Sequence, residues 1–135
     1  MKPISILFTS FLIFFSCEEE RFEGEPYQYI AYYEKSLRVC AEGTMEFDIG
    51  EDSTIIGTWE IEAVEEFSIN NIGPQTGTGD LSGNIKNGQF FVNLNPNWAD
   101  NNVFLNGYYG EEIRGGWSWS TLVGPRSSGG FVIKK

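Results

Sequence analysis

The side chains in this chain with chemistry to offer are carboxylates, amides and aromatic rings, and their spacing limits what they can do. Glu60 and Glu62 lie two residues apart. On an extended strand that spacing puts both on one face. Such a carboxylate pair can hydrolyse a glycoside when a cleft raises the pKa of one partner. Here Trp59, Ile61 and Ala63 alternate with the acids, so Glu60 and Glu62 read as the solvated side of a half-buried sheet. Glu65-Glu66 and Glu111-Glu112 sit beside turns and read as surface charge. The chain has no histidine, which excludes Ser-His-Asp and Cys-His catalysis and histidine-ligated zinc or haem. No Ser or Thr lies in a nucleophile motif. Asn93-x-Asn95-x-Asn97 has the one-three-five spacing of a calcium loop, but Trp98 and Phe104 occupy the positions where such a loop needs a glycine and an acid. Neither a metal nor a cofactor is expected, and the chain reads as a non-enzyme.

The same loop, Asn93 to Asn102, holds the clearest exposed candidate. Trp98 stands among Asn95, Asn97 and Asp100. An aromatic face with amide donors and acceptors around it is a platform for a ligand, sugars above all. In the alternative reading Trp98 closes one end of the domain and the asparagines are turn residues. Cys40, in the apolar triplet Val39-Cys40-Ala41, reads as a buried thiol rather than a nucleophile.

Charge narrows the partners. Nine Lys and Arg face 19 Asp and Glu, a formal net charge of −10 over 135 residues. That balance disfavours nucleic acid, whose phosphates need clustered cations, and adsorption to anionic membranes. The N-terminus has a basic start at Lys2, an apolar stretch from Ile4 to Phe15 and then Ser16-Cys17. Those are the parts of a secretory signal, and the stretch is shorter than the roughly 20 residues a spanning helix needs. Leu12-Ile13-Phe14-Phe15-Ser16-Cys17 resembles a bacterial lipobox. The resemblance implies that Cys17 is acylated and becomes the first mature residue, a membrane anchor made of lipid alone. Cleavage would remove Lys2 and take the formal charge to −11, and would leave the mature chain about 38% apolar. If Cys17 were not acylated, it could pair with Cys40. Glu18, Glu19, Glu20, Glu23 and Glu25 make residues 17–26 an extended, solvated tether. Cys-Glu-Glu-Glu is similar to the export tag of surface lipoproteins in some Gram-negative bacteria. The expected organisation is therefore signal 1–16, acidic tether 17–26 and one domain over 27–135, anchored to the outer membrane on its periplasmic or cell-surface face.

The elements that must position these residues read as antiparallel strands. Met45, Phe47 and Ile49 alternate with Thr44, Glu46 and Asp48. Asn87-Gly88 predicts a two-residue hairpin in which Lys86 opposes Gln89, Ile85 opposes Phe90, Gly83 opposes Val92 and Leu81 opposes Leu94. A second hairpin joins 102–109 to 112–120, with Val103, Leu105, Ile113, Trp117 and Trp119 inward. A turn over 121–128 leads to a last strand, 130–134. Residues 27–37 fit period two at Tyr27, Tyr29, Ala31 and Tyr33 and a helical face at Ile30, Tyr33 and Leu37, and are read as an extended segment or short strand, while 67–79 is left open by Gly73-Pro74. Hairpins in series without helical crossovers predict an all-β fold, a small antiparallel up-and-down β-barrel of six to eight strands, with a two-sheet sandwich as the alternative.

Gly57-Thr58-Trp59 resembles the Gly-x-Trp motif of lipocalin-like barrels, the calycin group. The resemblance implies that Trp59 plugs one barrel end and that a basic residue of the last strand, Arg126 or Lys134, packs across its ring. Trp59, Phe90, Trp117, Trp119 and Phe131 are expected to fill the interior. The functional expectation is a non-catalytic binding module whose partner is a protein, a glycan or a small apolar ligand. The alternatives are a lipocalin-like carrier of an apolar ligand and an inhibitor of an exogenous hydrolase.

Overall fold

The structure is a computed structural model and describes residues 25–34 and 36–135. The signal segment, Cys17 and most of the tether lie outside the described residues. Eight strands follow one another around a closed antiparallel barrel: β1 (Tyr27–Tyr33), β2 (Val39–Ile49), β3 (Thr54–Ala63), β4 (Gly77–Lys86), β5 (Gln89–Asn93), β6 (Asn102–Tyr108), β7 (Ile113–Thr121) and β8 (Gly124–Lys134). The barrel, not the sandwich, is the fold. Closure is made by β8 against β1, in a register that sets Phe131 opposite Ala31 and Ile133 opposite Tyr29. It pairs the two strands that would otherwise be exposed edges.

Alternation sets which side chains enter the barrel. Met45, Phe47, Trp59 and Ile61 are buried, and Glu46, Thr58, Glu60 and Glu62 are exposed. The β4–β5 hairpin has the expected register, with Lys86 opposite Gln89, Ile85 opposite Phe90 and Gly83 opposite Val92. Asn87 and Gly88 take φ of 53° and 77°, as a type I′ turn requires. Leu81 and Leu94 are both buried beyond the last rung of that ladder. Residues 27–33 form a strand because Tyr29 and Ala31 occupy the inward positions of a period-two pattern.

Aromatic rings fill the interior in a connected series. Ring centroids run from Tyr27 to Phe47 at 4.5 Å, on to Phe90 at 6.0 Å, to Phe131 at 6.4 Å and to Tyr29 at 6.3 Å. A barrel of eight strands leaves little radius for so many rings, and glycines opposite them supply the space. Phe47 faces Gly57, Phe90 faces Gly107 and Phe131 faces Gly115. The fit is tight: a Cβ on Gly79 would come within 2.6 Å of the Trp59 ring. Each fully buried ring contributes about 2–3 kcal/mol through water transfer alone.

Two expectations need correction, and one open segment gains its structure. The open segment 67–79 contains a short helix, α1 (Ile69–Ile72), started by a capping box between Ser68 and Asn71. The turn expected over 121–128 is far tighter. Thr121 pairs with Gly124, whose φ is 116°, and β8 begins there rather than at Gly130. A bulge between Trp119 and Ser120 realigns the ladder, so Pro125 meets Ser120 at an irregular position that tolerates a missing N–H. Finally, Trp119 is only half-buried, packed against the core rather than within it.

Candidate functional site

Strand direction divides the connections between two ends. The lower end has the turns at 50–53, 87–88 and 109–112, and the chain enters there at Tyr27. The upper end has the connections at 34–38, 64–76, 94–101 and 122–123. Trp98 therefore stands on the same rim as α1 and the β7–β8 turn.

The structure corrects the idea that Trp98 closes the barrel, because its side chain is 68% exposed. The loop from 64 to 76 closes the upper end. Its Ile72 and Gln75 are fully buried. The Tyr29 hydroxyl donates to Gln75 Oε1 at 2.8 Å, and Gln75 Nε2 donates to the Ile72 carbonyl at 2.9 Å. Gly73, at φ 69°, lies directly against the Trp119 indole. A buried glutamine is tolerable only with both ends of its amide bonded, and this one meets that condition. Gln75 carries no sequence signal, since it stands alone in an irregular segment and its partner is 46 residues away.

The polar residues around Trp98 are occupied in bonds within their loop and to its neighbours β4 and the β7–β8 turn. Asn95 Nδ2 donates to the Asn101 carbonyl at 2.9 Å, and Asn97 Nδ2 to Asp80 Oδ2 at 3.1 Å. Asp100 Oδ1 accepts from the Asn101 and Leu122 backbone N–H groups, each at 2.7 Å. Asn102, which the sequence did not single out, is the buried hub: its Nδ2 donates to the carbonyls of Asn95 at 2.8 Å and Trp98 at 3.1 Å. Trp119 Nε1 donates to Asn101 Oδ1 at 2.6 Å. These bonds tie the loop at 94–101 to the β7–β8 turn. They hold the backbone at Trp98 while its ring faces solvent, with Asn97 and Asp100 themselves exposed.

Trp98 is one of five exposed large apolar side chains on this rim. Leu37 is 97% exposed, Ile69 54%, Leu122 84% and Val123 85%. Each of the four upper connections carries at least one. Leu122-Val123 was legible in principle, since an apolar pair at a turn tip stands where turn chemistry favours Gly, Asn or Asp.

Trp59 and Gly57 lie on the third strand and point inward. The Trp59 indole N–H reaches the carbonyls of Leu94 at 2.9 Å and Asp80 at 3.0 Å. It thereby bridges β4 and the segment after β5, above the point where their ladder stops. Arg126 Nε instead donates to Thr121 Oγ1 at 3.3 Å, and Lys134 is exposed. A cation–π contact is made by Lys135 over Tyr27 at 4.9 Å, at the lower end.

The outer wall is electrically uneven. Glu42, Glu46 and Asp48 of β2, Glu60 and Glu62 of β3, and Asp80 of β4 all face solvent, and β1 and β5 through β8 carry no carboxylate. Glu42 lies directly opposite Glu62, an unfavourable placement for like charges. Thr44, Glu46, Thr58, Glu60, Thr78 and Asp80 line a shallow external groove of about 370 Å³. Its carboxylates are exposed, and among the described residues no group of three or more acids or cysteines is arranged to hold a metal ion. Cys40 is fully buried, its Sγ 3.4 Å from the Ala31 carbonyl. Burial pushes its thiol pKa up to about 11, which keeps it protonated and unreactive at neutral pH.

Compared with models of known protein families, with curated proteins and with solved structures, the chain finds no match.

Proposed function

We propose that this chain is a lipid-anchored cell-envelope β-barrel that acts as a non-catalytic binding module, with the upper loop end as its binding face. One observation carries the reading: all four upper connections present exposed apolar side chains on a rim held in place by hydrogen bonds. Exposed apolar residues scattered singly need no explanation, but a set gathered on one face marks an interaction site. The barrel interior is taken up by packed rings, which favours a partner outside it over an apolar ligand carried within.

In this reading Cys17 bears the acyl chains and residues 17–26 form the tether. The chain enters the barrel at its lower end, so the loop end faces away from the anchoring outer membrane, on its periplasmic or cell-surface side. Metabolic labelling with an alkyne fatty acid tests the anchor. The wild-type protein should be labelled and fractionate with membranes, and Cys17→Ala should be unlabelled; equal labelling of both removes the anchor. A photo-crosslinking residue placed at Leu122, and separately at Ser53 of the lower end, tests the face in intact cells. Crosslinks from position 122 and none from position 53 support the module, and crosslinks from neither count against it.

A further inference from the structure

Exposed carboxylates stand at both ends of the barrel, but at the lower end Glu51, Asp52, Glu111 and Glu112 share the surface with Lys86, Arg114, Lys134 and Lys135. Glu34, Glu65, Glu66 and Asp100 are exposed in the upper connections. The opposed pair Glu42 and Glu62 stands near the upper ends of β2 and β3, where the acidic wall meets the rim. The described cations at that end are Arg38, already paired with Glu66 at 2.8 Å, and Arg126. An apolar centre bordered by excess carboxylate is complementary to one kind of surface.

We infer that the upper end docks a basic protein segment, cationic around an apolar centre, with Trp98, Leu122 and Val123 as its apolar anchors and Glu42 and Glu62 as its acidic border. The inference rests on the binding-module reading and names the partner's chemistry. Five large exposed side chains supply on the order of several hundred Å² of contact surface, against about 800 Å² per partner in a standard interface. They are therefore a sufficient centre for one. Two other occupants fit less well. A sugar needs polar groups free to bond it, and Asn95, Asn97 and Asp100 already bond the Asn101 carbonyl, the Asp80 carboxylate and the Leu122 N–H. An anionic bilayer is repelled by the same acids that attract a basic segment.

Trp98 is the most exposed of the four indoles, with Trp59 and Trp117 inside the barrel and Trp119 half-buried, so an emission change that is lost in Trp98→Phe is assigned to it. The test uses the full chain carrying Cys17→Ala and a synthetic amphipathic Leu/Lys peptide, with a Leu/Glu peptide of the same pattern as the control. The Leu/Lys peptide should shift Trp98 emission to the blue, and its binding should weaken as salt is raised. Leu122→Ser/Val123→Ser should weaken it roughly tenfold. Glu42→Gln/Glu62→Gln should reduce both the affinity and the salt dependence, and Glu51→Gln/Glu111→Gln at the lower end should change neither.

Equal binding of the Leu/Glu peptide overturns the inference. So does the same blue shift from phosphatidylcholine vesicles, or an affinity that the rim substitutions leave unchanged. If the Leu/Lys peptide fails to bind while position 122 crosslinks to an acidic or uncharged partner in cells, the inference falls and the binding-module reading stands. If position 122 also crosslinks to nothing, both fall together.

Discussion

The two ends of this barrel are built by different rules. At the lower end the turns are short and mostly polar, with Tyr109 exposed in one of them and Tyr108 and Ile49 exposed on the strands beside them. Asn87-Gly88 takes the positive φ values its hairpin needs, and in the turn at 50–53 the Ser53 N–H closes onto the Gly50 carbonyl while Asp52 Oδ1 accepts from the Thr54 N–H. At the upper end the connections include a capping helix and an asparagine-knotted loop, and their tips carry Leu37, Ile69, Trp98, Leu122 and Val123 into solvent. The lower turns satisfy their backbone and expose one large ring, Tyr109, which carries a polar hydroxyl. The upper ones leave apolar area in water, which folding does not reward. Where a molecule follows turn chemistry at one end and departs from it at the other, the departure is the better place to look for function.

This contrast can be broken from beneath. Ile72 is the apolar plug under the upper connections, and Ile72→Ala should cost about 2–4 kcal/mol of stability, read as a lower urea midpoint. Tyr29→Phe removes the hydroxyl bonded to Gln75 and leaves a buried amide oxygen without its donor. A loss of about 1–3 kcal/mol is expected, and an unchanged midpoint would show that Gln75 finds another partner.

Cys40 and Tyr29 also make the fold sensitive to alkali. Burial raises both pKa values in the folded chain, Cys40 from 9.0 to about 11. Each group thus adds stability that is fully present below its unfolded pKa and is lost as pH rises through the folded value. Tm should fall from about pH 9 upward, and less steeply in Cys40→Ala. Parallel curves for the two proteins would rule out the thiol as the source.

At the lower end Gly88, at φ 77°, has open space around its Cα. Gly88→Ala should therefore cost only the strain of a left-handed backbone, about 1 kcal/mol. The smallest effect sharpens the comparison most. Leu122→Ser/Val123→Ser should change stability by less than about 0.5 kcal/mol, because neither side chain packs on the fold. A large loss by calorimetry would mean that the tips serve the barrel after all, and the contrast between the ends would lose its functional meaning.

Much of the fold was legible in local pattern. The alternation in 44–49 and 58–63 told which side chains enter the core, and Asn87-Gly88 set a register that the structure follows rung by rung. The start of β8 was missed because the run of Arg126, Ser127, Ser128, Gly129 and Gly130 has no apolar alternation. They belong to a strand because Ser127 to Gly130 pair with β7, and Gly129 and Gly130 also with β1, with Arg126 left at the bulge. The candidate site was half legible. Trp98 was singled out in its loop, but the direction of the asparagine side chains and the company of Leu37, Ile69, Leu122 and Val123 were not.

The sequence by itself determined an acidic, histidine-free, antiparallel β domain with rings on one face of its strands, because side-chain period and turn preference act between residues close in the chain. Tertiary structure decided that the strands number eight and close, that Gln75 rather than Trp98 seals the upper end, and that five apolar side chains from four separate connections share one rim. Those outcomes depend on which segments become neighbours after dozens of intervening residues, as Tyr29 and Gln75 do across 46.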